Sequence, residues 1–127
     1  MQYFLDTHIA LWVFEDKTKL SSKAIEALDD VCSEAFVSVA SAWEVAIKVS
    51  NGKLNFTGGV RAFIEAVRAN DFRLLDVSAN HVERVEALPF IHRDPFDRLL
   101  IATAQAEDMT LITADDNIHN YDVKWIW

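Results

Sequence analysis

Two hydrophobic rhythms alternate along the chain. Short apolar runs of strand character stand at Tyr3-Phe4-Leu5, Phe36-Val37-Ser38-Val39, Phe72-Arg73-Leu74-Leu75-Asp76-Val77, Thr110-Leu111-Ile112-Thr113 and Val123-Lys124-Trp125-Ile126. Between them, apolar residues recur at the three-and-four spacing of a helix face. Such stretches run from His8 to Phe14, through Ala24, Ile25, Leu28 and Val31, from Trp43 to Val49, through Val60, Phe63, Ile64 and Val67, and from Leu99 to Ala106. The boundaries carry their own chemistry. Ser21-Ser22, Ser41 and Ser78 offer N-caps, and Asp94-Pro95 places a capping acid before a proline at the first helical position. Asn51-Gly52 and Pro89 stop helices, and Gly58-Gly59 marks a loop.

Strands that alternate with helices build an α/β fold with a central parallel sheet, here of four to five strands flanked by helices. The chain of 127 residues, 51% hydrophobic, has the length of one domain, residues 1–127. That size lets a fold bury about two thirds of the surface its unfolded chain exposes, without a disulfide. No repeat, linker or low-complexity tract divides it.

A parallel sheet gathers the carboxyl ends of its strands on one rim, and four acids are expected there. Asp6 follows the first strand directly. Glu44 lies in the first turn after the second, and Asp115 lies just beyond the fourth. Asp97 sits in the first turn of the helix that feeds the fourth strand; that helix runs antiparallel to the strand, so its start overhangs the same edge. Ligands of open α/β sheets bind at this location. Carboxylates gathered there repel one another unless a cation intervenes. Oxygen donors without histidine or cysteine at metal-binding spacing favour Mg²⁺ (or Mn²⁺) over zinc. Such an ion is the equipment for hydrolysing a phosphodiester.

Charge narrows the choice of function. With 20 acids against 12 bases, the net charge of −8 excludes a broad binder that grips nucleic acid by counterion release. It does not exclude a nuclease, because two Mg²⁺ ions would halve that charge and place the positive charge where the phosphate goes. The single cysteine, Cys32, cannot form an internal bridge and points to a reducing cytoplasm. An acid already at position 6 is foreign to a secretory leader, and no apolar run has membrane-spanning length, so no membrane association is expected.

Four motifs now combine. Leu5-Asp6-Thr7-His8, Ser41-Ala42-Trp43-Glu44-Val45-Ala46-Ile47-Lys48, His92-Arg93-Asp94-Pro95-Phe96-Asp97-Arg98 and Leu111-Ile112-Thr113-Ala114-Asp115 occur in the order of the PIN-domain family. The chain resembles that family over essentially its whole length, and within it the VapC-type toxins of toxin–antitoxin pairs. The resemblance implies a three-layer PIN-like fold and an endoribonuclease requiring Mg²⁺ or Mn²⁺. It also implies an RNA substrate, a small antitoxin that occupies the active site, and a homodimer. By motif, it assigns the four acids to Asp6, Glu44, Asp97 and Asp115. Asp116 competes with Asp115, and Asp94 competes with Asp97.

Each residue also has a plainer reading. Glu44 can complete a capping box with Ser41 and pair with Lys48, Asp94 can be only an N-cap, and Asp115 and Asp116 can be turn residues. Thr7 and Thr113 can hydrogen-bond a carboxylate, although Thr113 can equally be a strand end. Lys48, Arg93 and Arg98 are candidate phosphate contacts, Arg98 first among them, or else they balance nearby acids. His8, His81, His92 and His119 lack metal-site spacing and read as surface or helix-packing residues. Trp12, Trp43, Trp125 and Trp127 read mainly as core or dimer surface, with an exposed Trp127 able to stack on a base. Two rival functions compete with the nuclease. One is a non-catalytic module of the same fold that holds an ion or a partner peptide at its acidic rim. The other is a phosphotransfer enzyme, disfavoured because Asp6-Thr7-His8 lacks a paired acid.

Overall fold

Adjacent positions of each inner strand are both apolar, and both are buried, as a parallel sheet covered on its two faces demands. In the computed structural model, which describes residues 1–127, the strands are β1 (Gln2–Leu5), β2 (Glu34–Ser38), β3 (Arg73–Leu75), β4 (Thr110–Ile112) and β5 (Trp125–Ile126). They form one sheet of order β3-β2-β1-β4-β5, parallel throughout. Phe4 lies level with Phe36 and Leu111, and this layer packs with Leu100, Ile101 and Ile118. Leu5 lies level with Ile112, and with Val37 this set packs into a second cluster with Ile9, Val45 and Phe63. Two apolar cores on opposite faces of one sheet make the three layers that the sequence pattern predicts.

Seven helices flank the sheet: α1 (Thr7–Glu15), α2 (Ser22–Asp29), α3 (Val39–Ser50), α4 (Gly59–Ala69), α5 (Ala79–Glu86), α6 (Pro95–Glu107) and α7 (Asp116–His119), with a 3₁₀ turn at Lys17–Lys19. Gly58 precedes α4 at φ +85°, where a Cβ would lie 2.7 Å from that of Ala62, so only glycine fits. Ser78 caps α5 and His81 closes a capping box with it. No helix is long and apolar enough to cross a membrane.

Three expectations need correction. Helix α3 begins at Val39 rather than at Ser41, because Ser38 ends β2 in an extended conformation and its hydroxyl accepts the Ala40 N–H at 3.0 Å. Strand β3 stops at Leu75 instead of Val77, since its partner strand ends at Ser38, opposite Leu75. Helix α2 ends at Asp29, which leaves Val31 97% exposed rather than on its apolar face. The alternative of an exposed Trp127 gives way to the packed one, the residue being half-buried with its ring 5.9 Å from that of Trp12.

The chain moves from central β1 outward through β2 to β3, then returns to β4 on the other side of β1. The direction of winding therefore reverses between β1 and β4. Their carboxyl ends, carrying Asp6 and Thr113, flank the crevice at which α/β sheets take ligands.

Candidate active site

Asp6 is fixed by both of its neighbours in the crevice. It is the N-cap of α1, with Oδ1 accepting the Ile9 N–H at 2.8 Å, while Thr113 at the end of β4 donates its hydroxyl to Oδ2. The residue is buried, and burial pushes its carboxyl above the usual range. Asp115 adds to that upward push, whereas the two hydrogen bonds and His8 oppose it.

Asp97 stands in the first turn of α6. The Asp94 carboxylate caps the helix by accepting the N–H groups of Phe96 at 2.9 Å and of Asp97 at 3.1 Å. Asp97 is pushed up to about 6, first by burial and then by repulsion from Asp94, Asp115 and Asp6. Its one side-chain partner is His92, whose Nε2 lies 3.1 Å from Oδ2 and whose hydrogen bond favours the ionised form. Asp6, Asp97 and Asp115 thus act on one another across the rim. Asp115 caps α7 through the Asn117 N–H and lies on this side, while the Asp116 side chain is fully exposed and leans toward His119.

Glu44 is buried in a different setting. Thr7 donates to its Oε1 at 2.7 Å, with the Thr7 hydroxyl also 2.9 Å from Ser41 Oγ, and Lys48 lies 2.6 Å from Oε2. Glu44 does not close a capping box, because Ser41 is already inside the helix and turned to Thr7. The hydrogen bond to Glu44, then attraction by Glu44, Asp94 and Asp97, holds the Lys48 ammonium above its usual range. Lys48 is accordingly a cation that faces both Glu44 and the acids of α6.

Arg98 is the clear correction among the candidate residues. It is buried, and its guanidinium donates to the carbonyls of Pro89 (2.8 Å), Leu88 (3.3 Å) and Val85 (3.4 Å) and to Tyr121 Oη (3.1 Å), with Phe90 stacked on it at 4.3 Å. A helix-start arginine one residue past a site acid invites the phosphate reading. Here carbonyls at and just beyond the end of α5 take its donors instead. Arg93 is exposed and remains unengaged.

His92 and Tyr121 are the residues that sequence reasoning missed. His92 had one usable signal, its place two residues ahead of a helix cap, from which the chain folds back over the first turn. Tyr121 had none, since it meets His92 and Arg98 from 29 and 23 residues further along the chain. Two of the other histidines pack, while His8 is exposed at the mouth of the site: His81 Nε2 meets Glu107 at 2.7 Å, and His119 stacks on Trp125 at 3.6 Å while reaching the Thr113 carbonyl at 2.7 Å.

Beside the acids opens a cleft of about 220 Å³ lined by Asp6, His8, Ile9, Trp12, Ala114 and Asp115. No three acids or histidines stand arranged as a finished metal cage. The donor chemistry nevertheless fits a hard divalent cation, for the charged donors that converge on the rim are carboxylate oxygens. Two of those carboxylates are driven toward protonation by burial and by one another, a cost that a cation removes.

The PIN-domain family model matches residues 3–124. This chain belongs to the PIN-domain family. The PIN domain is similar to ribonuclease VapC22 of Mycobacterium tuberculosis, at 26% identity over 118 residues that cover 92% of this chain and 89% of the relative. Its fold matches the crystal structure of VapBC2 from Rickettsia felis bound to a DNA fragment from their promoter, with a TM-score of 0.75 at 18% identity over 99% of this chain and 98% of the other. It also matches a toxin–antitoxin complex from Klebsiella pneumoniae, with a TM-score of 0.66 at 20% identity over 98% and 96% of the two chains.

Proposed function

We propose that this PIN domain is a metal-dependent endoribonuclease, the toxin of a toxin–antitoxin pair. The observation that carries the reading is the convergence of Asp6, Asp97 and Asp115 at the crevice between β1 and β4, close enough that Asp115 raises the proton affinity of Asp6 and both raise that of Asp97. Asp6 and Asp115 also cap helices and Asp97 meets His92, but capping does not require three carboxylates on one crevice. Likeness to ribonuclease VapC22 supports RNA as the substrate, and the toxin–antitoxin complexes of the same fold support an antitoxin partner. The family resemblance extends the proposal to a homodimer working in the cytoplasm.

Asp6, Asp97 and Asp115, joined by Glu44, would hold Mg²⁺ or Mn²⁺. When bound, the ion supplies the positive charge that draws the phosphodiester and the acidity that turns water into a nucleophile. Thr113 keeps Asp6 oriented, and Asp94 holds the first turn of α6, so that Asp97 is presented at the rim. Lys48 and Arg93 are the cations to meet RNA phosphates, Arg93 from its exposed position and Lys48 by exchanging Glu44 for the substrate. One observation favours the rival reading of a non-catalytic module that holds a partner peptide: Glu44 already has a cation in Lys48.

The deciding experiment incubates the purified protein, freed of any co-expressed partner, with total cellular RNA in Mg²⁺, in Mn²⁺ and in EDTA, with Asp6→Asn as control. Discrete cleavage that requires metal and vanishes in the variant is expected. Absence of cleavage in every condition would overturn the nuclease and favour the binding module.

A further inference from the structure

Arg98, Tyr121, His92 and Asp97 form a continuous hydrogen-bonded chain from the interior to the acidic rim. Its proton positions follow from counting donors and acceptors. Arg98 Nη1 donates to Tyr121 Oη at 3.1 Å, and the His92 backbone N–H donates to the same oxygen at 3.2 Å. A guanidinium and an amide have no choice of role, so both lone-pair sides of the phenol oxygen are taken. The phenol proton must then be given away. Its nearer acceptor is His92 Nδ1, at 2.9 Å, against 3.4 Å for the His92 carbonyl. An Nδ1 that accepts leaves the single proton of a neutral imidazole on Nε2, which faces Asp97 Oδ2 at 3.1 Å.

We propose that His92 is a positioning residue for Asp97: Arg98, acting through Tyr121, fixes the imidazole with Nε2–H toward Asp97, and that N–H holds Oδ2 and leaves Oδ1, which has no protein donor, as the oxygen for a divalent cation. The inference rests on the reading of Asp97 as a cation ligand. The contrast with Glu44 gives the arrangement its purpose. Glu44 is held by an ammonium, a full positive charge that competes with any cation for the carboxylate. A neutral N–H donor orients Asp97 without cancelling its charge. Outer groups that fix a ligating carboxylate in this way ordinarily change metal affinity by tens of fold when removed. The buried arginine next to the site acid thereby acquires a function in place of the phosphate contact.

The test measures Mn²⁺ binding to the partner-free protein by electron paramagnetic resonance and titration calorimetry, with thermal melts to verify folding. The variants are Asp97→Asn, His92→Ala, His92→Gln, His92→Asn and Tyr121→Phe. Asp97→Asn is expected to lose binding. His92→Ala should weaken it about tenfold or more, and Tyr121→Phe should weaken it by a smaller factor, because the imidazole is then free to take the other tautomer. His92→Gln carries an amide N–H at the reach of Nε2 and should recover affinity to within about threefold of the parent; the shorter His92→Asn should not. If the alanine variant fails to fold, the comparison of Gln with Asn decides, and equal affinities for those two overturn the inference. Parental affinity in folded His92→Ala together with lost binding in Asp97→Asn also overturns it, while leaving Asp97 as a ligand. Parental affinity in Asp97→Asn overturns the underlying reading itself.

Discussion

Asp97 shows how a single ionisable group couples chemistry to stability. Its carboxyl titrates near 6 in the fold and at its ordinary 3.8 when unfolded, so the folded state holds the proton more tightly. Its contribution to stability is therefore complete below pH 3.8 and is lost as pH rises through about 6. In metal-free buffer, Asp97→Asn should melt at a higher temperature than the parent at pH 7 to 8, with the difference closing toward pH 4, while RNA cleavage is abolished. Calorimetric melts across that range check the sign, and retained cleavage would remove Asp97 from the site. Arg98 makes the opposite case. Arg98→Ala strips buried carbonyls of their donors and should destabilise by roughly 3 kcal/mol in urea unfolding. Asp6, Glu44, Asp97 and Asp115 could each be put forward as candidates from motif order, whereas the direction in which the Arg98 side chain turns could not be read there. Arginine at that position suits phosphate and carbonyl alike, and the choice depends on where the end of α5 lies.

Among the elements, α3 distinguishes two serines of similar sequence context. Ser38 supplies the N-cap hydrogen bond, whereas Ser41 lies within the first turn and faces Thr7. Ser38→Ala should cost about 1 kcal/mol of stability. Ser41→Ala should leave the helix intact and act only on the Thr7–Glu44 contact. Denaturant midpoints of the two variants check this, and equal losses of helix stability would contradict the assignment. The apolar periodicity correctly yields a helix here, but because both serines are good caps it leaves the starting point open, and that is set by where β2 stops pairing with its neighbours. The same reason shortens β3. Strand length in a parallel sheet is fixed by the partner, and the pattern of one strand alone cannot report it.

At the scale of the whole molecule, the rim is a concentration of negative charge that the fold sustains at an energetic cost, and a bound cation should repay the molecule in stability. Addition of Mg²⁺ or Mn²⁺ should raise the melting temperature, by an amount corresponding to about 2.7 kcal/mol at a hundredfold excess over the dissociation constant. EDTA should reverse the shift, and Asp6→Asn should abolish it; a cation effect that survives in that variant would place binding elsewhere. The sequence by itself determined the α/β class, the parallel sheet with its two buried faces, and the candidate set of acids, because those features are written in local periodicity and in motif order. Only the tertiary structure decided that Asp115 rather than Asp116 faces the other acids, that Glu44 is held by Lys48 and Thr7, and that His92 and Tyr121 stand behind Asp97. Those outcomes depend on which side chains meet across elements far apart in the chain, and neither hydrophobic period nor spacing records such meetings.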